Sequence, residues 1–270
     1  MGMNGYLVLA SCVFFLAFLI PTRFRNWCAI FGWTAMILFL FSEVPSYLSI
    51  NNYLYPALAV LSVPFLAITI KYLRLRDERV EHLSRAAAAA FLVYAPFAFT
   101  PLGDRLIAVV VGQTLWLLNA LGYDAALVAW NMVIRNGFRV EIILACTGIQ
   151  AIAIMLGVAA AVPTTARQKI LSFLIIVPTI YVLNLARNAA VIIAYTGQWF
   201  PYFPGIAGNG EYGYESFFWA HNVFAELLAL VLLIGIAYTL FRVIPGLGDL
   251  AAGLYSLYAG EIRRVFYRDR

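Results

Sequence analysis

The sequence alternates long apolar runs with short polar connections. The apolar runs cover about residues 5–20, 28–50, 53–70, 86–101, 141–163, 169–196 and 216–241. Most of them approach or exceed the roughly 20 residues that an α-helix needs to cross the hydrocarbon of a bilayer. The pattern therefore predicts an all-α polytopic membrane protein with about seven transmembrane helices. The first run lacks a basic start and a small-residue cleavage site, so we interpret it as a retained span and not as a signal peptide.

Composition supports the membrane assignment and excludes other classes. Of the 270 residues, 64% are hydrophobic and 11% are charged, so a soluble globule could not cover its apolar surface. The net charge of +5 comes from basic residues dispersed over several connections, without a basic patch that carries interleaved aromatics. Nucleic acid is therefore not an expected partner. The three cysteines have no pairing pattern and no metal-ligand spacing, and we expect neither a metal nor another cofactor.

The positions of Lys and Arg predict the orientation. Basic residues collect in four stretches, at 23–26, 71–85, 164–169 and 263–270. Short connections rich in these residues stay in the cytoplasm. Seven crossings from an outside N-terminus to an inside C-terminus put all four stretches on the cytoplasmic side. We therefore expect a multi-pass protein of the cell membrane with this orientation.

Two segments are predicted to lie on the outer side. Residues 105–121 are apolar with polar interruptions, which favours a helix in the outer interface, either flat or re-entering the membrane. Asn136 and Gly137 stand between alternating and β-branched residues and predict a short hairpin before the span that holds Cys146. The second segment, 197–215, is rich in glycine, proline and aromatic residues. We interpret it as an aromatic belt at the lipid boundary or as a lid over a site.

These elements divide the chain into four predicted regions. They are a four-span N-terminal region, 1–101; an outer interfacial helix and hairpin, 102–140; a catalytic three-span core, 141–242; and a basic cytoplasmic tail, 243–270. The candidates for chemistry all fall in the third region.

Three candidate residues are predicted at the same outer depth. With a rise of about 1.5 Å per residue, Cys146 lies roughly 8 Å below the outer edge if its span begins near Glu141. Arg187 lies roughly 27 Å up from the cytoplasmic edge of a layer about 30 Å thick, and His221 lies roughly 9 Å deep. A thiol, a permanent cation and an imidazole near one membrane surface indicate cysteine-dependent acyl transfer, because the thiolate needs a cation or base beside it.

Polar neighbours strengthen the case for these residues. A charged side chain costs about 3 kcal/mol at the centre of a span, which favours a functional Arg187 over one that only extends to the interface. The alternative for His221 is a hydrogen bond between helices, and Glu226 is either a partner of Arg187 or part of the site. Six residues are assigned as substrate-binding or supporting groups: Asn184, Asn188, Asn222, Glu226, Thr147 and Gln150.

Three strings in the second half of the chain resemble a known family. EIILACTGIQAIAIMLG surrounds Cys146, LNLARNAAVI surrounds Arg187 and AHNVFAE surrounds His221. They are similar to the exosortase and archaeosortase membrane enzymes, and the resemblance extends over about residues 120–242. It implies that Cys146 is the nucleophile, Arg187 the catalytic arginine and His221 the third member of the site.

The resemblance also implies a substrate class. The substrates that it implies are exported proteins with a C-terminal tripartite sorting signal: a short motif such as Pro-Gly-Phe, a hydrophobic helix and basic residues. The signal is cut on the outer side and the protein is joined to a membrane lipid. The sequence does not choose between transfer to a lipid amine and hydrolysis, and it sets no oligomeric state.

Two alternative functions are compatible with the polar cluster around Arg187 and Glu226. A transporter would also carry intramembrane Arg and Glu, and a lipid acyltransferase would use the site without a protein substrate. The cytoplasmic halves of the spans are almost wholly apolar, which argues against a transport pathway.

Overall fold

The computed structural model describes residues 3–267, and most of them are helical. The helices are α1 Met3–Phe18, α2 Arg25–Ser49, α3 Leu54–Arg74, α4 Glu78–Phe99, α5 Leu102–Ala120, α6 Ile149–Ala159, α7 Ala166–Thr196, α8 Pro204–Ala207, α9 Tyr214–Phe217, α10 Glu226–Val243 and α11 Pro245–Tyr267. The strands are β1 Ala126–Ala129, β2 Met132–Arg135 and β3 Phe138–Glu141. A 3₁₀ turn covers Leu144–Thr147, and a π-helix, Phe218–Ala225, joins α9 to α10.

Long apolar helices confirm a mostly helical polytopic membrane protein, to which the three-stranded sheet is a small addition. Within the described residues, four helices are long and apolar enough to cross a membrane: Arg25–Ser49, Leu54–Arg74, Ala166–Thr196 and Tyr214–Val243. A fifth span results if α4 and α5, which meet at an angle of 83°, are counted as one. The predicted count of seven is not confirmed. The helix α6 has 11 residues, and a helix of that length covers only about 16 Å.

The run at 141–163 does not form one helix. Glu141 ends β3, the 3₁₀ turn follows at Leu144, and α6 begins only at Ile149. Between them, Gly148 has φ +80°, which interrupts the helix. Cys146 therefore lies on a turn before the helix, and the prediction that it lies a fixed number of helical residues below Glu141 was wrong. Hydropathy did not reveal this break, because Leu144, Ala145 and Cys146 continue the apolar run into the helix.

The predicted hairpin is confirmed. The strands β2 and β3 are antiparallel and Arg135 pairs with Phe138, so Asn136 and Gly137 form a two-residue turn. Both have positive φ, +50° and +83°, as the tight turn that suits twisted strands requires. The strand β1 adds a third member that the sequence pattern did not predict. The hairpin is anchored to the end of α7, where Arg135 Nη1 donates to Thr196 Oγ1 at 2.6 Å and Asn136 Nδ2 donates to the Thr196 carbonyl at 3.1 Å.

The helix predicted at 105–121 is present as α5. Its buried face packs on α7 and on the sheet through a core that includes Val110, Val133, Ile142 and Ile192. The same core includes the partly buried Cys146. One apolar cluster thus joins the hairpin, α5 and the turn to the long helix α7.

The loop of residues 50–53 (Ile50–Tyr53) joins α2 to α3, and several ion pairs collect at the opposite end of these helices. Arg25 pairs with Glu81 at 3.2 Å and Lys71 pairs with Glu261 at 2.6 Å. Asp77 caps α4 by accepting from the Arg79 amide, and the Arg79 guanidinium holds the pKa of Asp77 below its usual range. The segment predicted as a basic tail forms α11, which packs on α3 and α4, while residues 268–270 lie outside the described residues.

Candidate active site

Two asparagines of α7 fix the backbone at Cys146. Asn184 Nδ2 and Asn188 Nδ2 both donate to the Cys146 carbonyl oxygen, at 2.7 and 2.8 Å. They are four residues apart, so both side chains lie on the same face of the helix. The carbonyl of a turn has no helical partner of its own, and these two bonds satisfy it. They hold the thiol-bearing turn against the part of α7 that carries Arg187.

Gly148 permits this close contact. Its φ of +80° lies in the left-handed region that side chains disfavour. A Cβ at this position would also lie 3.1 Å from Asn184 Cγ and 3.2 Å from Asn184 Cβ. Any larger residue would therefore strain the turn and push it away from α7.

Arg187 lies on α7 between the two asparagines. Its Nη2 is 3.4 Å from His221 Nε2. Its Nε is buried and has no hydrogen-bond partner among residues 3–267. A buried donor without a partner costs free energy, and an incoming acceptor group would remove that cost. The guanidinium thus touches the imidazole and keeps a donor for a bound molecule.

His221 is held by its neighbours in the π-helix. Its Nδ1 is 2.8 Å from Asn222 Oδ1, and its ring stacks on Phe217 with a centroid distance of 4.8 Å and an angle of 11°. An amide oxygen only accepts, so this network assigns the hydrogen to Nδ1. The lone pair of Nε2 then faces Arg187. Helix segments with π geometry occur frequently at functional sites. Here the segment contains both His221 and Asn222, whose side chains contact each other.

The loop between α2 and α3 is a part of the site that the sequence pattern did not reveal. The Ile50 carbonyl accepts from Asn222 Nδ2 at 3.2 Å and from the Tyr214 hydroxyl at 3.0 Å. Asn52 is buried and its Nδ2 donates to Glu226 Oε1 at 3.0 Å. In the sequence, this loop shows only a pair of asparagines between two apolar runs. Any polar residues can connect two spans, so the pair did not indicate a role in the site. Its contacts with residues about 170 positions away arise only in the fold.

The remaining predicted residues have different surroundings. Thr147 is buried and its Oγ1 donates to the Leu144 carbonyl at 2.7 Å, which stabilises the turn. Gln150 is exposed, with Nε2 3.5 Å from the Tyr94 hydroxyl. Glu226 forms no ion pair with Arg187 in the described part of the chain, where its partner is Asn52.

Comparison with known protein families identifies the family of this chain. The family model described as transmembrane exosortase matches residues 2–209. The chain belongs to the transmembrane exosortase family. The match includes Cys146 and Arg187 and ends before His221. The resemblance inferred from the three strings is therefore confirmed at the level of the family.

Two curated relatives of this chain come from archaea. The chain is 30% identical to archaeosortase A of Haloferax volcanii in an alignment of 255 positions that covers 85% of this chain and 84% of that protein. It is 31% identical to archaeosortase A of Natronomonas pharaonis in an alignment of 199 positions that covers 67% of this chain and 63% of that protein. No solved structure matches this chain significantly. Family and helices together establish a multi-pass membrane protein of a sorting-enzyme family.

Proposed function

We propose that this protein is a membrane cysteine transpeptidase that cuts C-terminal sorting signals from exported proteins and transfers those proteins to a lipid amine. The proposal rests on the contacts that connect the segments of Cys146, Arg187 and His221. The Cys146 carbonyl is held by Asn184 and Asn188, and Arg187, between them in sequence, contacts His221. The names of the two archaeosortase relatives support a protein substrate with a sorting signal.

In the first step, the substrate is cut and the enzyme is acylated. When the Arg187 guanidinium turns from His221 to the substrate carbonyl, Nε2 of His221 can take the proton of the Cys146 thiol, and the sulfur attacks the carbonyl carbon at the sorting motif. Negative charge develops on the carbonyl oxygen, and the Arg187 guanidinium donates to it. The C–N bond then breaks as His221 returns the proton to the departing amine. A thioester on Cys146 remains.

In the second step, a lipid amine replaces the cut segment. The amine attacks the thioester carbon and loses a proton to His221, and the C–S bond breaks with return of that proton to the sulfur. The new amide joins the surface protein to the lipid. Water in place of the amine would give hydrolysis. Because Asn222 Oδ1 holds the hydrogen of Nδ1, Nε2 remains the nitrogen that exchanges protons in both steps.

The reaction is proposed for the extracellular side of the cell membrane, with the N-terminus outside and the C-terminus inside. The basic ends of α2 and α3 support this orientation, because Arg23, Arg74 and Arg76 lie at the other end of those helices from the Ile50–Tyr53 loop at the site. Cysteine-accessibility mapping with an impermeant reagent tests it. Labelling of a cysteine at residues 75–77 from outside intact cells would contradict it.

Product analysis tests the proposed reaction. The full chain is reconstituted with a protein that ends in a tripartite sorting signal and with a lipid that carries a primary amine. We expect mass spectrometry of the shortened protein to show a mass increased by the lipid minus water. Products that carry only a new carboxyl terminus would establish hydrolysis, and an uncut substrate would contradict the proposal.

Replacement of Arg187 by lysine should reduce turnover by about 100- to 1,000-fold, nearly as much as replacement by alanine. Lysine keeps the charge but lacks the planar fork that can hold an oxyanion through two donors at once. Arg105, exposed on α5, provides the matched control, and Arg105→Lys should retain full turnover. Normal activity of Arg187→Lys would show that a point charge is sufficient.

A further inference from the structure

A second polar site lies at the other end of α2 from the candidate active site. A cavity of about 330 Å³ opens where α2 begins and α3 ends. Three arginines line it, Arg23, Arg74 and Arg76, together with Asn26 and Trp27. The intervening helix has 25 residues, which corresponds to roughly 37 Å. The cavity is therefore independent of the chemistry at Cys146.

The three arginines that line this cavity have no acidic partner in the described part of the chain. Nearby arginines have acidic partners: Arg25 pairs with Glu81, and Arg79 pairs with Asp77. By contrast, the three arginines of the lining form no ion pair with any of residues 3–267, and none of the described lining residues is acidic. Three guanidinium groups around one cavity favour a phosphate, to which arginine donates through two N–H groups at once.

The backbone at Arg76 is strained in a way that supports a role for its side chain. Arg76 has φ +55°, and its amide donates to the Leu73 carbonyl at 3.2 Å to close the end of α3. Helices commonly end with a left-handed residue at this position, and glycine is the usual choice because it has no Cβ. Arginine costs free energy that glycine avoids. Strain of this kind is concentrated at ligand-binding segments.

Asn26 carries a buried acceptor that has no partner among residues 3–267. Its Nδ2 donates to the Leu73 carbonyl at 3.0 Å and to Glu81 Oε1 at 2.9 Å, so the orientation of the amide is determined by two acceptors. Its Oδ1 is buried and has no hydrogen-bond partner within the described part of the chain. A ligand that carries a hydroxyl beside its phosphate would satisfy this oxygen.

An exposed aromatic ridge begins at the same cavity. Trp27 and Phe31 are 46% and 49% exposed, and their ring centroids are 6.4 Å apart, one helical turn along α2. The Arg74 guanidinium lies 5.4 Å from the Trp27 ring. A free anion would gain nothing from this ridge, whereas the acyl chain of a lipid whose headgroup occupies the cavity could lie along it.

We propose that this cavity binds an anionic phospholipid with a hydroxylated headgroup. The phosphate is held by Arg23, Arg74 and Arg76, and the headgroup hydroxyl donates to Asn26 Oδ1. The acyl chain packs on Trp27 and Phe31. Basic pockets between membrane helices are known to select anionic headgroups in this way.

Lipid titration of the purified full chain in detergent tests the proposal. Dioleoylphosphatidylglycerol is added and the midpoint of thermal unfolding is measured, with dioleoylphosphatidylcholine and inorganic phosphate in parallel. We expect a saturable rise with phosphatidylglycerol and a much smaller rise with the other two. Arg74→Gln and Arg76→Gly should each need about five-fold more phosphatidylglycerol for the same rise. Arg167→Gln, which removes an exposed arginine of α7 away from the cavity, should match the unchanged protein.

Arg76→Gly separates a ligand role from a structural one. Glycine relieves the strained φ, so the lipid-free midpoint should stay the same or rise while the response to phosphatidylglycerol weakens. Equal responses of all variants would overturn the proposal. An equal rise with phosphatidylcholine would indicate a general effect of bilayer lipid, and an equal rise with inorganic phosphate would assign the cavity to a free anion. Either result would contradict a specific lipid site.

Discussion

Cys146→Ala and Cys146→Ser should abolish turnover of a sorting-signal substrate while the protein remains folded in the membrane. Neither side chain can form the thioester that the proposed mechanism requires. The loss of packing should be about 1 kcal/mol or less, because the three side chains have similar volumes. Since the Asn184 and Asn188 bonds go to the backbone carbonyl of residue 146, both variants keep the attachment of the turn to α7.

Cys28 provides the matched control for this experiment. It is a partly buried free cysteine on α2, at the other end of that helix from the Ile50–Tyr53 loop. Cys28→Ala should therefore retain full turnover. Thermal unfolding of each variant checks that the fold is intact. Near-normal cleavage by folded Cys146→Ala would remove the nucleophile and end the acyl-transfer proposal.

His221→Asn and His221→Gln should fold and slow the acylation of Cys146 by about 100- to 10,000-fold, the usual contribution of positioned acid–base catalysis. Both amides can form hydrogen bonds, but neither exchanges a proton near neutral pH. The effect should be largest on the step in which an amine leaves, and smaller on attack by the lipid amine. A purely structural histidine would be replaced with little loss, because asparagine can still accept from Arg187.

Single-turnover trapping of the acyl-enzyme measures this effect directly. The protein has one other histidine, His82 on α4, whose Nε2 is 3.6 Å from Glu78 Oε1 at the basic end of the bundle. His82→Asn should acylate at the normal rate. If His221→Asn also acylates normally, the proton transfer belongs to another group. Glu226, held by Asn52, is then the next residue to test.

Much of the fold was predictable because membrane helices have a strong local signal. A long run of apolar residues is stable only in the membrane or in a protein core, so α2, α3 and α7 were identified from hydropathy alone. The turn at Asn136 and Gly137 was equally local, since positive φ at both residues is a property of those residue types. The same reasoning failed between Glu141 and Ile149. A 3₁₀ turn and a left-handed glycine interrupt the helix there, within a run that is still largely apolar.

For the candidate site, the sequence indicated the residues but not their geometry. Charge and amide groups on an apolar helix marked Arg187, Asn184 and Asn188, because such groups are costly in hydrocarbon. Their geometry could not be read from spacing. The pattern did not indicate that the two asparagines donate to one carbonyl, nor that His221 lies on a π-helix. These features depend on how separate segments pack.

The sequence by itself determined the class of protein, the long spans, the hairpin and the family resemblance, because each rests on residue types within a short stretch. Only the tertiary structure decided that the Cys146 turn attaches to α7, that Arg187 contacts His221, and that the Ile50–Tyr53 loop reaches Asn222 and Glu226. Each of these contacts joins segments at least about 30 residues apart in the chain. Local preferences do not encode such contacts, which form only when the helices pack and buried polar groups take the partners within reach.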